Sequence, residues 1–77
     1  MPTIVIKGYK FRFYSSDINE PSHVHILHGE NEAKIWLQPV VLEYNRGYNK
    51  AELNSILKLT RQYQNKLLEV WNGYFSK

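Results

Sequence analysis

The sequence contains no cysteine, and only four of its 77 residues are glycine and three are proline. The missing cysteine excludes a disulfide framework, a cysteine-ligated zinc site and a thiol nucleophile. The scattered glycines form no phosphate-binding loop of the kind that nucleotide-dependent enzymes use. No apolar run approaches the roughly 18 residues of a membrane-spanning helix, and the start of the chain does not resemble a signal peptide. We therefore expect a soluble, cytoplasmic protein without a cofactor and without a membrane contact.

The composition predicts one packed domain over residues 1–77, because 43% hydrophobic residues is too rich for a disordered chain. The formal charge of +3 is unevenly distributed. Residues 1–14 carry +3, residues 15–32 carry −4 together with all three histidines, and residues 33–77 carry +4. A basic excess favours an acidic partner such as nucleic acid, although ordinary solvation of a surface produces the same charge.

Residues 1–45 have the pattern of short β-strands. Branched or alternating apolar residues indicate strands near residues 3–6, 9–14, 23–28, 32–37 and 40–44. Lys7-Gly8 is typical of a tight turn, and consecutive strands of this kind favour an antiparallel meander of three to five strands. Trp36 falls opposite Ala33 and Ile35 in this pattern, so we expect it either in a second covered layer or on a contact surface.

Residues 49–75 have the pattern of one long amphipathic helix. Asn49 followed by Glu52 resembles a capping box, and apolar residues then recur at helical spacing as far as Phe75. A helix of about 23 residues is roughly 35 Å long, which exceeds the roughly 17–20 Å of a typical strand. Trp71 and the aromatic residues after it therefore either overhang the sheet as a contact surface or fold back onto it. The predicted fold class is α+β, a small, mainly antiparallel sheet followed by one C-terminal helix.

His23 and His25 are the strongest candidates for catalytic or metal-binding residues. On a strand, residues i and i+2 share a face, with Cα atoms about 6.5–7 Å apart. Two imidazoles at that spacing can hold a metal ion with Asp17 or a nearby glutamate, or act as general acid and general base. Both rings can equally be structural, hydrogen-bonded to the polar loop before them.

The basic residues form two further candidate binding surfaces. Lys58 and Arg61 fall on the outer face of the predicted helix, and Lys10 and Arg12 share a strand face with Tyr14. Cations of this kind contact phosphates, and tyrosine rings stack on unpaired bases. A solvated helix or strand face has the same pattern.

Five segments together resemble a bacterial family catalogued as domain-of-unknown-function family 4160. The segments are Phe13-Tyr14-Ser15-Ser16-Asp17, Pro21-Ser22-His23-Val24-His25-Ile26, residues 29–40, Asn45-Arg46-Gly47-Tyr48 and residues 68–75. They occur in the family's order over nearly the whole chain. The main departure is Ser22, where a second proline is usual, and both histidines of the motif are retained.

The resemblance implies a small bacterial protein of the cytoplasm that belongs to a toxin–antitoxin-like gene pair. It implies a small protein partner encoded nearby, with a nucleic acid as a further candidate, whereas the aromatic overhang considered above would make a homodimer another candidate. His23 and His25 match the family motif, and Asp17 and Arg46 fall inside its blocks. We therefore expect an interaction module that binds a protein partner.

Two alternatives stay open from the sequence. In the first, the protein binds RNA or is a metal-independent ribonuclease that uses His23 and His25 as acid and base, while Lys10, Arg12 or Arg46 holds phosphate. In the second, His23 and His25 bind a metal ion.

Overall fold

The computed structural model describes residues 2–75, apart from the side chains of Ser16 and Asp17. The elements are β1 (Thr3–Ile6), β2 (Tyr9–Arg12), a 3₁₀ helix (Ser15–Asn19), β3 (His23–His28), β4 (Asn31–Leu37), β5 (Val40–Arg46), α1 (Lys50–Gln62) and α2 (Gln64–Phe75). The five strands form one sheet in sequence order, and every neighbouring pair is antiparallel. The predicted α+β class and antiparallel meander are confirmed.

Lys7 and Gly8 form the two-residue turn between β1 and β2. Their φ angles are 52° and 86°, and both are positive. Two positive φ angles define the type I′ turn, whose twist matches that of the strands it joins. The predicted turn is therefore confirmed, with a lysine at a position that asparagine or glycine usually occupies.

The sheet has two different faces because alternate side chains point to opposite sides. The inner face packs against the helices. It contributes these fully buried residues to the core: Phe11, Val24, Ile26, Ala33, Ile35 and Leu37. His23 and His25 alternate with Val24 and Ile26 on β3, so they belong to the other face, which we call the outer face. The hydrophobic core and His25 thus lie on opposite faces of the sheet, whereas the ring of His23, at the beginning of β3, reaches Trp71 of α2.

The prediction of one long helix over residues 49–75 is wrong, because the helix is interrupted at Tyr63. Tyr63 has φ −104° and ψ 17°, which depart from the values of an α-helix. Its N–H still donates the helical hydrogen bond to Leu59 O, at 2.9 Å. Immediately after the interruption, Gln64 Nε2 donates to Leu37 O at 2.6 Å. Gln64, a polar residue within the apolar stripe of the predicted helix, is therefore hydrogen-bonded to the C-terminal end of β4. Neither helix, over residues 2–75, has the length and apolarity to cross a membrane.

The start of α1 is as the sequence predicts. Asn49 is the N-cap, and its Oδ1 accepts a hydrogen bond from the N–H of Glu52 at 2.8 Å. This bond satisfies one of the N–H groups that lack a partner inside the first helical turn.

Trp71 lies in the core, with 8% of its surface exposed. Its ring centroid is 6.2 Å from that of Phe13 and 5.1 Å from that of His23. Tyr74 and Phe75 are half-buried against the same core. Of the two arrangements that the sequence left open, the aromatic residues therefore fold back onto the sheet and do not overhang it, because folding back removes these large apolar rings from water.

The segment Asn45–Tyr48 connects β5 to α1 and builds part of the core. Asn45 Nδ2 donates to Tyr48 O at 2.9 Å, and Tyr48 N–H donates to Asn45 Oδ1 at 3.1 Å. The Tyr48 hydroxyl, inside the core, donates to Ile26 O at 2.8 Å. Gly47 has φ 105°, and a Cβ there would collide with the side chain of Asn31. Most of this family-like block is thus explained by folding.

Candidate functional site

His23 lies at the beginning of β3. Its ring has no exposed surface and lies between Trp36, at 5.3 Å, and Trp71, at 5.1 Å between centroids. Because a carbonyl oxygen only accepts, the 2.9 Å contact is a hydrogen bond donated by Nδ1 to Pro21 O. Complete burial leaves this imidazole no surface on which to meet a substrate.

His25 is joined to two further strands through the carboxylate of Glu32. The residue is 8% exposed, and its Nδ1 lies 3.2 Å from Glu32 Oε2. The same oxygen accepts a hydrogen bond of 2.6 Å from the Tyr44 hydroxyl. Glu32 therefore orients the His25 ring, and Tyr44 in turn orients Glu32.

The protonation states of this chain follow from its contacts. The hydrogen bond from Tyr44, and after it the bond to His25, hold the pKa of Glu32 below its ordinary value against the opposing effect of burial. Burial, reinforced by Glu32, raises the pKa of Tyr44 to about 12. At neutral pH Glu32 is a carboxylate and Tyr44 is a neutral hydrogen-bond donor.

Cationic side chains flank His25 on both sides. Arg12 is its partner on β2, and Lys34 is its partner on β4. Lys34 Nζ lies 2.6 Å from Glu20 Oε1 and 4.8 Å from the centroid of the Trp36 ring. The centre of the outer face thus has positive charge on either side of an imidazole.

Aromatic rings are interleaved with these cations. The Tyr14 ring lies 4.7 Å from that of His25, and the Arg46 guanidinium lies 4.6 Å from the centroid of Tyr44. Trp36 is half-buried on this face, not in a second core layer, and its Nε1 donates to Glu43 Oε1 at 2.9 Å. We call the following residues the aromatic–basic surface: Arg12, Tyr14, Lys34, Trp36, Tyr44 and Arg46.

A shallow groove continues this surface toward the β1–β2 turn. It has a volume of about 280 Å³, and its lining includes Lys10, Arg12, Leu27 and His28. The Arg12 side chain is positioned there by the hydrogen bond from its Nε to Thr3 Oγ1, at 3.1 Å. Two cations beside a groove of this size are suited to a phosphate group.

The structure does not bring all predicted site residues together. Lys58 and Arg61 are exposed on α1, and Trp71 lies inside the core. The side chain of Asp17 lies outside the described residues. Among the residues that the structure describes, no three potential metal ligands cluster. The two basic surfaces predicted from the sequence are therefore separate.

Sequence reasoning missed Lys34 and Tyr44 as members of the surface. Strand alternation places Lys34 on the same face as Trp36, so the position of Lys34 could have been predicted from the sequence. Tyr44 joins them only because β5 pairs with β4 in a register that has an irregularity between Lys34 and Ile35. No local pattern predicts that irregularity.

The fold and this surface define a small α+β protein whose sheet has a packed inner face and an aromatic, cationic outer face. The family described as Domain of unknown function (DUF4160) matches residues 8–72, and the chain belongs to this family. The resemblance seen in the sequence is thereby confirmed. No curated protein and no solved structure gives a significant match.

Proposed function

We propose that this protein binds single-stranded RNA on the outer face of its sheet. The observation that carries the proposal is the interleaving of three partly exposed aromatic rings with three cations on one sheet face. A base stacked on such a ring contributes about 1–3 kcal/mol, and a cation beside it contacts the neighbouring phosphate. A duplex keeps its bases stacked inside, so this surface favours an unpaired strand.

The carboxylates of the outer face are already engaged by protein groups. Glu32 bonds His25 and Tyr44, Glu20 pairs with Lys34, and Glu43 accepts from Trp36. The charge of Glu20 is compensated by Lys34, whereas the hydrogen bonds to Glu32 and Glu43 fix the orientation of these two carboxylates. Their remaining lone pairs can accept a hydrogen bond from a ribose 2′-hydroxyl, and this favours RNA over DNA.

The test is fluorescence anisotropy of a labelled oligouridine of about eight nucleotides. We expect Arg46→Gln to weaken binding about tenfold, since a hydrogen bond to a charged group contributes about 1.5–3 kcal/mol. Tyr44→Ala should also weaken binding, whereas Tyr44→Phe keeps the ring and should retain most of it. Lys66→Gln removes one charge from an exposed position of α2 and is the matched control.

Two results would contradict RNA binding. One is an absence of binding by the wild-type protein at low salt. The other is an equal loss in Arg46→Gln and Lys66→Gln, which would indicate an unspecific effect of net charge.

A second candidate function is metal-independent cleavage of the bound RNA at His25. The observation that favours it is the chain from His25 through Glu32 to Tyr44, which is how a general base is oriented in many active sites. When Nδ1 carries the proton toward Glu32, Nε2 is the basic nitrogen. The buried ring of His23 has no part in this chemistry.

The cleavage step conserves atoms and charge. Nε2 of His25 takes the proton of a ribose 2′-hydroxyl, and the 2′-oxygen attacks the adjacent phosphorus. The bond from phosphorus to the 5′-oxygen breaks, and the leaving oxygen takes a proton from the Lys34 ammonium group. The products are a 2′,3′-cyclic phosphate and a 5′-hydroxyl end.

Cleavage is tested with RNA in the presence of a chelator, while binding is measured separately on the same variants. We expect His25→Gln to abolish cleavage and retain binding, and Lys66→Gln, at an exposed position of α2, to retain both. A wild-type protein that binds RNA and leaves it intact would remove this candidate while leaving the binding proposal in place.

Binding to a small protein encoded nearby, in a toxin–antitoxin-like gene pair, stays a prediction. The residue expected to lead that contact, Trp71, is packed in the core. Among the described residues, the exposed large apolar side chains that remain for it are Val5 and Val41 on the two edge strands and Ile18 in the 3₁₀ helix, at 64%, 48% and 55% exposure. Co-expression with the neighbouring gene product, followed by mass determination of the purified species, distinguishes a complex, a homodimer and a monomer.

A further inference from the structure

A second groove lies on the other side of the β1–β2 turn, against helix α1. Its volume is about 390 Å³, and it is lined by Lys7, Tyr9, Ser55, Lys58, Leu59 and Gln62. None of these residues belongs to the aromatic–basic surface. The groove is therefore a separate feature of the molecule, and the RNA-binding proposal does not use it.

The polar groups of this groove come from two elements that approach from opposite sides. Ser55, Lys58 and Gln62 are spaced three and four residues apart, so they form one row along α1. Lys7 faces that row from the turn between β1 and β2. Among the described residues that line the groove there are two ammonium groups, hydroxyl groups and an amide, and no carboxylate.

The backbone of Lys7 supplies a second, independent observation. Its φ of 52° lies in the left-handed region, which a side chain with a Cβ adopts at a cost. Asparagine is the residue that type I′ turns favour at this position. Strained residues concentrate where a function uses them, and Lys7 lines the groove from this turn.

We propose that this groove binds a phosphate group. The ammonium groups of Lys7 and Lys58 contact the phosphate oxygens from either side, and the Ser55 hydroxyl and Gln62 amide donate further hydrogen bonds. The phosphate belongs either to a small phosphorylated molecule or to the backbone of a polynucleotide.

The first test follows backbone amide resonances by NMR during titration with inorganic phosphate. We expect shifts at Lys7, Ser55 and Lys58, and a loss of affinity of about tenfold in Lys58→Gln, because one charge-assisted contact is removed. Lys66→Gln removes the same charge from the exposed side of α2 and should leave the affinity unchanged. Absence of shifts in the groove, or equal losses in both variants, would overturn the proposal.

Lys7→Asn provides a sharper test because stability and binding should change in opposite directions. Asparagine relieves the strain of the turn, so we expect the melting temperature to rise by about 4 °C. It also removes an ammonium group, so phosphate affinity should fall about tenfold. A more stable variant with wild-type phosphate affinity would show that Lys7 has no binding role and would overturn the proposal that Lys7 and Lys58 hold the phosphate together.

A third measurement identifies the source of the phosphate. An oligouridine of about eight nucleotides is added to the phosphate-saturated protein. Release of inorganic phosphate from the groove on addition of the oligonucleotide, measured by phosphorus NMR, would assign the groove to a polynucleotide backbone. Inorganic phosphate that stays bound while the oligonucleotide occupies the outer face would assign the groove to a small phosphorylated molecule.

Discussion

Glu32 connects three strands of the sheet through a single oxygen atom. Its Oε2 accepts from the Tyr44 hydroxyl on β5 and lies 3.2 Å from His25 Nδ1 on β3. The pKa of Tyr44 is raised and that of Glu32 is lowered, so the stability of the folded protein should depend on pH in the alkaline and in the acid range. Two predictions follow from the direction of these pKa shifts.

At alkaline pH the native state should lose the contribution of Tyr44. Its pKa in the folded protein is about 12, against 10.0 ordinarily, so the stabilisation is complete below pH 10 and is lost as the pH rises toward 12. We expect Tyr44→Phe to show a smaller fall in unfolding free energy over this range, measured by urea denaturation. Some fall should remain, because the pKa of Tyr48 is also raised to about 12. An identical alkaline loss in both proteins would contradict this role.

At acid pH the contribution of Glu32 should disappear. Its pKa is lowered by the hydrogen bonds from Tyr44 and His25, so its stabilisation is present above the ordinary carboxyl pKa and is lost as the pH falls through the folded-state value. Glu32→Gln should therefore be less stable than wild type at neutral pH, and the difference should narrow in acid. The variant should also titrate Tyr44 at a lower pKa by ultraviolet absorbance. A gap in stability independent of pH would exclude the carboxylate charge as its cause.

Tyr48 stabilises the core through its hydroxyl as well as its ring. The hydroxyl donates to Ile26 O at 2.8 Å, and the residue is 5% exposed. Tyr48→Phe should cost about 1 kcal/mol, because the carbonyl loses a donor inside the protein. Tyr74→Phe removes a hydroxyl from a half-buried ring at the helix end and should change the unfolding free energy by less. If both substitutions lower the unfolding free energy equally, the loss in Tyr48→Phe does not come from the hydrogen bond to Ile26 O.

The interruption at Tyr63 is the feature that most distinguishes the observed elements from the expected ones. Gln64 Nε2 donates a hydrogen bond to Leu37 O at the C-terminal end of β4. Gln64→Ala should cost about 1 kcal/mol in a urea unfolding experiment, because that carbonyl loses its partner. Gln62→Ala, at an exposed position just before the interruption, should be close to neutral. If both substitutions are neutral, the Gln64 bond does not hold α2 to the sheet.

At the scale of the whole molecule, the two faces of the sheet have different roles. The inner face and the helices supply the core, and the outer face is left to carry rings and cations at positions that packing does not constrain. This division predicts a salt-dependent RNA affinity, with a slope of about −0.7 per phosphate contacted in a plot of log K against log salt concentration. Arg46→Gln should reduce that slope by about 0.7, and Lys66→Gln should leave it unchanged. A slope near zero would exclude phosphate contacts as the basis of binding.

Most of the fold could be predicted from the sequence because the patterns that indicate its elements are local. Strand alternation, the Lys7-Gly8 turn, the Asn49 cap and the apolar stripe each depend on neighbours within a few residues. The interruption of the helix was not readable, because Gln64 has its partner 27 residues away on Leu37. Burial of Trp71 likewise depends on Phe13 and His23, far away in the chain.

For the candidate site, sequence alone determined the residue types and the strand face on which His23, His25, Lys10 and Arg12 lie. It also indicated the family to which the chain belongs. Only the tertiary structure separated the two histidines, by burying His23 and giving His25 a partner in Glu32. Only the pairing of β4 with β5 brought Tyr44 to that carboxylate. The physical reason is that a side chain's chemistry is local, whereas its burial and its hydrogen-bond partners depend on the register and packing of distant segments.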